Sequence, residues 1–140
     1  MQRFLIVGYG GMGARHAEQL RASEYAEVAG VYDTNPERLA AAKMNGFIVQ
    51  SDADALLSMD ADCALVTTPN DTHLFWVRRL LESGRHVLVE KPAGMSADEV
   101  RAMYRTAEQY GKLLGVNMNR RWDADFLGVK RVIDEGGLGD

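Results

Sequence analysis

The sequence predicts an α/β fold, a doubly wound parallel sheet with helices on both faces, and three features predict it. Short apolar runs alternate six times with helical patterns, joined by brief connections. The first run passes into Gly8-Tyr9-Gly10-Gly11-Met12-Gly13, a complete G-x-G-x-x-G, and a helical pattern follows without a gap. A second run ends at Asp33, twenty residues past Gly13. Such alternation implies right-handed crossovers, and a glycine turn after the first strand sets the expected strand order at 3-2-1-4-5-6.

In chain order, residues 4–7 are an apolar run suited to a strand buried on both faces, and Ala17 and Leu20 mark the sheet side of the helix after Gly13. Residues 28–32 form the second strand. Asn35-Pro36 has the form of an N-cap followed by proline at the first helical position, opening a helix over 36–44. Residues 47–49 give a brief third strand, and Ser51, Asp52 and Asp54 open a helix that runs through Leu56, Leu57 and Met59. The fourth strand is 63–66, followed by the polar loop Thr67-Thr68-Pro69-Asn70 and a helix with Leu74, Val77 and Leu81 on one face. Gly84 closes that helix before the fifth strand, 86–89, which ends at Glu90-Lys91-Pro92. Ser96 and Glu99 form a capping box for a helix striped by Val100, Met103, Ala107 and Tyr110. Residues 113–116 are the sixth strand. Beyond it Trp122, Phe126, Val129 and Ile133 make an apolar helical stripe that a six-stranded unit does not need, and 136–140 read as a glycine-rich turn.

The glycines serve separate purposes if a dinucleotide binds. Gly8 allows the tight turn, Gly10 lets a pyrophosphate approach the backbone, and Gly13 lets the helix pack close to the strand. The free N–H groups of the helix's first turn then face the phosphates. Asp33 stands where a carboxylate accepts hydrogen bonds from the adenosine ribose. The bland alternatives are a glycine turn that binds nothing and an Asp33 that caps a turn. A parallel sheet of this order gathers ligands at its carboxyl edge, where the chain places the Gly8 turn, Asp33, Thr68-Pro69-Asn70, Glu90-Lys91-Pro92 and residues 117–121.

At 140 residues the chain can bury roughly two thirds of its unfolded surface. Its 46% hydrophobic and 26% charged content is that of a soluble globular protein. A net charge of −4 argues against nucleic acid or an anionic membrane as the main partner. No apolar run reaches the length of a membrane span or a signal peptide's core, so a cytoplasmic location is expected. The single cysteine, Cys63, lies in an apolar run and reads as a buried strand position rather than a reactive thiol. Three scattered histidines lack metal-ligand spacing, and no metal is expected.

These residues resemble a known family, the dehydrogenases named after glucose-fructose oxidoreductase, inositol 2-dehydrogenase and the rhizopine-catabolism protein MocA. The resemblance rests on the glycine turn with Ala14-Arg15-His16, on Asp33, on Thr68-Pro69-Asn70 with His73, on residues 84–92 ending in Glu90-Lys91-Pro92, and on Asn119-Arg120-Arg121-Trp122. It implies an NAD- or NADP-binding amino-terminal domain over 1–118 and a segment, 119–140, that leads as a linker helix to a second α/β domain absent from this sequence. The implied activity is hydride transfer between nicotinamide and a secondary alcohol or carbonyl of a sugar, cyclitol or similar small molecule. By resemblance Lys91 contacts and polarises the substrate oxygen, Pro92 shapes the turn through a cis peptide, His73, Glu90 and Asn119 adjoin the cofactor, and Arg121 contacts substrate. Read from position alone, Glu90 and Lys91 are equally well solvated strand-end charges, His73 a helix-start cap and Arg121 a salt-bridging helix residue. By resemblance the family's usual acid/base aspartate and histidine lie beyond these residues, so the 140 residues are expected to act as a cofactor module without the full reaction centre.

NAD is expected over NADP, because a 2′-phosphate would place negative charge against Asp33. At about 4 Å and an effective dielectric of about 20, each like-charge pair opposes binding by roughly 4 kcal/mol, unless a cation such as Arg38 intervenes. The rival reading is a non-catalytic NAD sensor or regulatory module that acts on a partner chain, or as an oligomer, through the helix from Trp122 to Ile133. A third uses the same turn for another adenosine ligand such as S-adenosylmethionine, which Glu90-Lys91-Pro92 speaks against.

Overall fold

The computed structural model describes residues 1–136; most of the glycine-rich end expected to form a turn lies outside the described residues. Strands β1 (Gln2–Val7), β2 (Ala26–Tyr32), β3 (Val49–Gln50), β4 (Cys63–Val66), β5 (His86–Val89) and β6 (Leu114–Val116) form one sheet in the order β3-β2-β1-β4-β5-β6. Every neighbouring pair is parallel, and the order is the one expected.

Alternation within β1 shows why the sheet is covered on both sides. Leu5 and Val7 enter one apolar cluster and Ile6 the other, all three without exposed surface. The Leu5 side is closed by α3 (Ala53–Leu57), α4 (His73–Glu82) and α5 (Ala97–Gln109), through Leu56, Trp76, Val77, Leu80, Leu81, Met103 and Ala107. The Ile6 side is closed by α1 (Gly11–Arg21) and α2 (Pro36–Met44), through Ala17 and Ala42, with Tyr9 and Phe47 completing the cluster. Asn35 caps α2 by accepting the Glu37 N–H at 2.8 Å, with Pro36 next, as its sequence signals. Ser96 likewise accepts the Glu99 N–H, but the Glu99 carboxylate accepts the Met95 N–H, one residue beyond the Ser96 N–H of the reciprocal capping bond.

Several boundaries differ from expectation for identifiable reasons. The third strand is Val49–Gln50 rather than 47–49, because Phe47 turns into the core and packs edge-on against Tyr9 at 6.0 Å. Helix α3 ends at Leu57 rather than Met59, and Arg85 explains where: its guanidinium donates to the Leu57 and Met59 carbonyls at 2.9 and 2.5 Å. Tyr110 leaves the apolar stripe of α5 to become its exposed C-cap. Cys63 is only half-buried, at the outer end of β4, and burial still pushes its thiol pKa up.

The last helix, α6 (Ala124–Asp134), follows a 3₁₀ turn, Asn119–Trp122. Trp122 is 79%, Phe126 45%, Val129 59% and Ile133 57% exposed, so its apolar stripe takes no part in either cluster. Among the described residues no helix is long and apolar enough to cross a membrane.

Core and α6 should therefore respond differently to truncation. Leu80→Ala is expected to cost about 2–5 kcal/mol, and Phe126→Ser to stay within about 0.5 kcal/mol, both read by urea denaturation. A Phe126 loss as large as that at Leu80 would mean that α6 is packed on the sheet in solution.

Candidate dinucleotide-binding site

The glycine turn links the carboxyl end of β1 to the amino end of α1. Gly8 has φ +95°, a conformation glycine adopts without cost, and its N–H donates to the Tyr32 carbonyl at 2.8 Å. A Cβ on Gly13 would lie 2.0 Å from the Gly8 carbonyl oxygen, so the helix sits this close only because none is there. A Cβ on Gly10, by contrast, would find nothing nearer than Arg38, at 3.9 Å, and one on Gly11 would point into open space. Among the described residues no side chain caps the turn, and its first helical turn has no acidic residue, so the N–H groups of Gly11, Met12 and Gly13 are presented to an open edge. The arrangement fits an anion at the backbone.

Asp33, 5% exposed, is the next fixed point. Its Oδ2 accepts the Tyr9 N–H at 2.7 Å and lies 3.5 Å from Arg38 Nη1, while Oδ1 accepts the Asn35 N–H at 2.8 Å. A cleft of about 190 Å³ opens beside it, lined by Gly8, Asp33, Arg38, Thr68, Pro69, Thr72 and Trp76 among others. The Trp76 ring is held against Tyr32 at 5.2 Å. A larger, shallower groove of about 590 Å³ runs along α5 and β6, remote from this edge and lined by none of the candidate residues.

On the far side of the glycine turn, Glu90 follows β5 and is 7% exposed. Its Oε1 accepts from His16 Nε2 at 2.8 Å and Asn117 Nδ2 at 2.6 Å, and its Oε2 from the Lys91 N–H at 3.2 Å. Burial alone would raise the Glu90 carboxyl, but these hydrogen bonds outweigh it and hold the group below its ordinary value of 4.5. Glu90 is thus not a solvated strand-end charge. Lys91 beside it is exposed, and the Lys91–Pro92 peptide is cis.

Two expected cofactor residues are placed otherwise. The Tyr9 ring is core, 4% exposed, with its hydroxyl accepting from Asn45 at 3.1 Å; only its backbone belongs to the turn. His73 has no exposed surface, and both ring nitrogens face backbone carbonyls, Pro92 at 3.0 Å and Thr68 at 2.9 Å. The ring is thereby enclosed between the loop after β4 and the loop after β5. Thr68 and Pro69 line the cleft, Asn70 is exposed at its rim, and Met12 is exposed on the first turn of α1. Asn119 and Arg121 lie exposed on the turn after β6, outside the cleft. His16 enters the sequence reading only within the family resemblance and Asn117 only within the edge segment 117–121, neither with a role, and Trp76 does not enter it as a site residue. His16 lies one helical turn beyond Gly13 and Trp76 one beyond His73, and that spacing is the signal that could have found these two; Asn117 follows β6 and has no such spacing.

The strand order reverses between β2-β1 and β4, so helices leave the edge on opposite faces and a crevice opens where the glycine turn lies. With a buried acid on its β2 side, this is the dinucleotide-binding class of Rossmann domain. The model of the oxidoreductase family with an NAD-binding Rossmann fold, Gfo/Idh/MocA, matches residues 2–118, and the chain belongs to that family. It is 31% identical to an inositol 2-dehydrogenase of Rhizobium meliloti, over 99% of this chain and 42% of that protein. It is likewise 31% identical to IolW, a scyllo-inositol 2-dehydrogenase (NADP(+)) of Bacillus subtilis, over 96% and 38%. Among solved structures, the WlbA dehydrogenase of Bordetella pertussis in complex with NADH and UDP-GlcNAcA superposes with a TM-score of 0.92 at 30% identity, covering 98% of this chain and 43% of that one. The chain spans about two fifths of the length of the relatives it matches.

Two outcomes follow from the geometry. Gly13→Ala should cost about 1–3 kcal/mol or more through overpacking, whereas Gly10→Ala should cost about 1 kcal/mol or less; equal losses would refute the close-approach argument. For Glu90, a lowered folded-state pKa means that its stabilisation is complete above 4.5 and lost as the pH falls through the lower folded value. Denaturation of wild type and Glu90→Gln should show a stability gap that narrows on acidification, and a gap unchanged down to about pH 3 would contradict the shift.

Proposed function

We propose that this chain is the cofactor-binding part of an oxidoreductase that moves a hydride between a nicotinamide dinucleotide and a secondary alcohol or carbonyl of a sugar, cyclitol or similar small molecule. The observation that carries this reading is the sharing of one sheet edge by the open Gly10 turn, the buried Asp33 and Lys91 at the end of β5. The inositol dehydrogenases among the relatives, and the sugar nucleotide in the WlbA complex, support the substrate class.

In this reading residues 1–118 bind the dinucleotide and 119–140 lead out of the module. The backbone of Gly8 to Gly13 and the first turn of α1 hold the pyrophosphate, Asp33 accepts from the adenosine ribose, and Thr68, Pro69 and Asn70 border the adenosine cleft. Nicotinamide, when bound, supplies or accepts the hydride. Lys91 donates a hydrogen bond to the substrate oxygen, which steadies the charge that develops there. Asn119 and Arg121 are assigned to the cofactor and substrate sides of the same edge.

The buried Asp33 carboxylate favours NAD over NADP, opposed by Arg38 at 3.5 Å. A second reading, a dinucleotide sensor acting through a partner chain, is favoured by the exposed apolar face of α6 and predicts the same binding without turnover.

The test is a titration of the purified chain with NADH and NADPH, followed by nicotinamide fluorescence and the rise in melting temperature. NADH is expected to bind at least about tenfold more tightly, Arg38→Ala to widen the difference and Asp33→Ser to narrow it. An unchanged NADH to NADPH ratio in Asp33→Ser would remove Asp33 from the ribose site, and failure of both dinucleotides to bind would overturn the reading.

A further inference from the structure

The glycine turn and Asp33 place the pyrophosphate over the end of β1 and the adenosine toward β2, so the other half of a bound dinucleotide runs over β4, β5 and β6. Three polar side chains from three elements meet there. His16 comes from the second turn of α1, Glu90 from the end of β5 and Asn117 from the end of β6. A carboxylate only accepts hydrogen bonds, so His16 Nε2 and Asn117 Nδ2 both donate to Glu90 Oε1, at 2.8 and 2.6 Å. The remaining oxygen, Oε2, takes the backbone N–H of Lys91 at 3.2 Å.

Stability alone is a poor reason for this cluster. Burying a carboxylate costs free energy unless every lone pair is matched, and well-packed apolar groups serve a core as well or better. The cluster instead makes one mechanical connection. His16 shares a rigid helix with the phosphate-facing turn, and through Glu90 it fixes the backbone at which β5 becomes Lys91. The Asn117 N–H donates to the Val89 carbonyl at 2.8 Å, which ties the same point to β6.

We propose that His16, Glu90 and Asn117 are a positioning triad that carries the placement of the phosphate-binding turn to Lys91 and thereby orders the nicotinamide half of the dinucleotide but not its adenosine half. The inference rests on the dinucleotide reading and adds to it a role for His16 and Asn117 that acts through Glu90.

The experiment compares two ligands on the 140-residue chain: NADH, which spans the whole edge, and AMP, which reaches only the Asp33 side. In His16→Ala and Asn117→Ala, NADH affinity is expected to fall about tenfold while AMP affinity stays within about twofold of wild type. His16→Gln, which restores an N–H donor, should recover most of the loss. The double variant His16→Ala with Glu90→Gln should bind NADH no more weakly than Glu90→Gln alone, because the two act as one unit. Equal weakening of AMP and NADH, unaltered NADH binding, or additive losses in the double variant would each overturn the triad. Should His16→Ala fail to fold, Glu90→Gln, of nearly unchanged volume, carries the same NADH against AMP comparison. Wild type binding neither ligand would overturn the dinucleotide reading itself, and the triad with it; wild type binding both, with variants indistinguishable from it, would overturn the triad alone.

Discussion

The approach of Gly13 to the Gly8 carbonyl is the constraint on which the rest of the edge depends. With a Cβ position only 2.0 Å from that oxygen, α1 begins almost on top of the strand that feeds it. The approach is bounded on its other side by β4: Thr67 Oγ1 donates to the Gly8 carbonyl at 2.6 Å and would lie 2.8 Å from a Gly13 Cβ. Tyr9, one residue into the turn, then has its N–H where Asp33 accepts it. One missing methyl group thus lets the ends of β1, β2 and β4 meet around a helix terminus with unpaired N–H groups. Had the helix started a few ångströms farther out, the same groups would face solvent and not a crevice.

The core that supports this edge is closed without α6. Both sheet faces already carry helices, and the two apolar clusters draw on five of the six helices among the described residues. An amphipathic helix whose apolar side is left exposed gains little free energy from that side as it stands, so the regular spacing of Trp122, Phe126, Val129 and Ile133 is not explained by this sheet.

What could be read from the sequence follows from what periodicity encodes. Alternating runs, glycines at fixed offsets and caps such as Asn35-Pro36 act over a few residues, so strand order, all six described helices and the places of Asp33 and Lys91 were legible. Phe47 shows the limit: a β-favouring triplet reads as a strand, but its ring is worth more under Tyr9 than on a sheet edge, and the strand moves two residues on. His73 shows another. Its neighbours in sequence mark it as polar and near the edge, but only the fold brings the Pro92 and Thr68 carbonyls to its two nitrogens and buries the ring. The Glu90 contacts span 27 and 74 residues, beyond any local spacing.

Asp33 and Glu90 divide the edge between them, and the division has a physical logic. Each is a carboxylate less than a tenth exposed, each accepts a backbone N–H from the chain beside it, and they stand at the ends of β2 and β5, on opposite sides of the glycine turn. A buried anion is unfavourable unless its charge is matched by donors already in place. Asp33 spends it on two backbone amides and the nearby Arg38, Glu90 on His16, Asn117 and Lys91. The two differ in what they leave over. Asp33 opens on a cleft with room for one more donor, whereas Glu90 is enclosed by His16 and Asn117, which come from the helix after the glycine turn and from the end of β6. One acid is thereby suited to reading a ligand, the other to holding the frame against which a ligand is read.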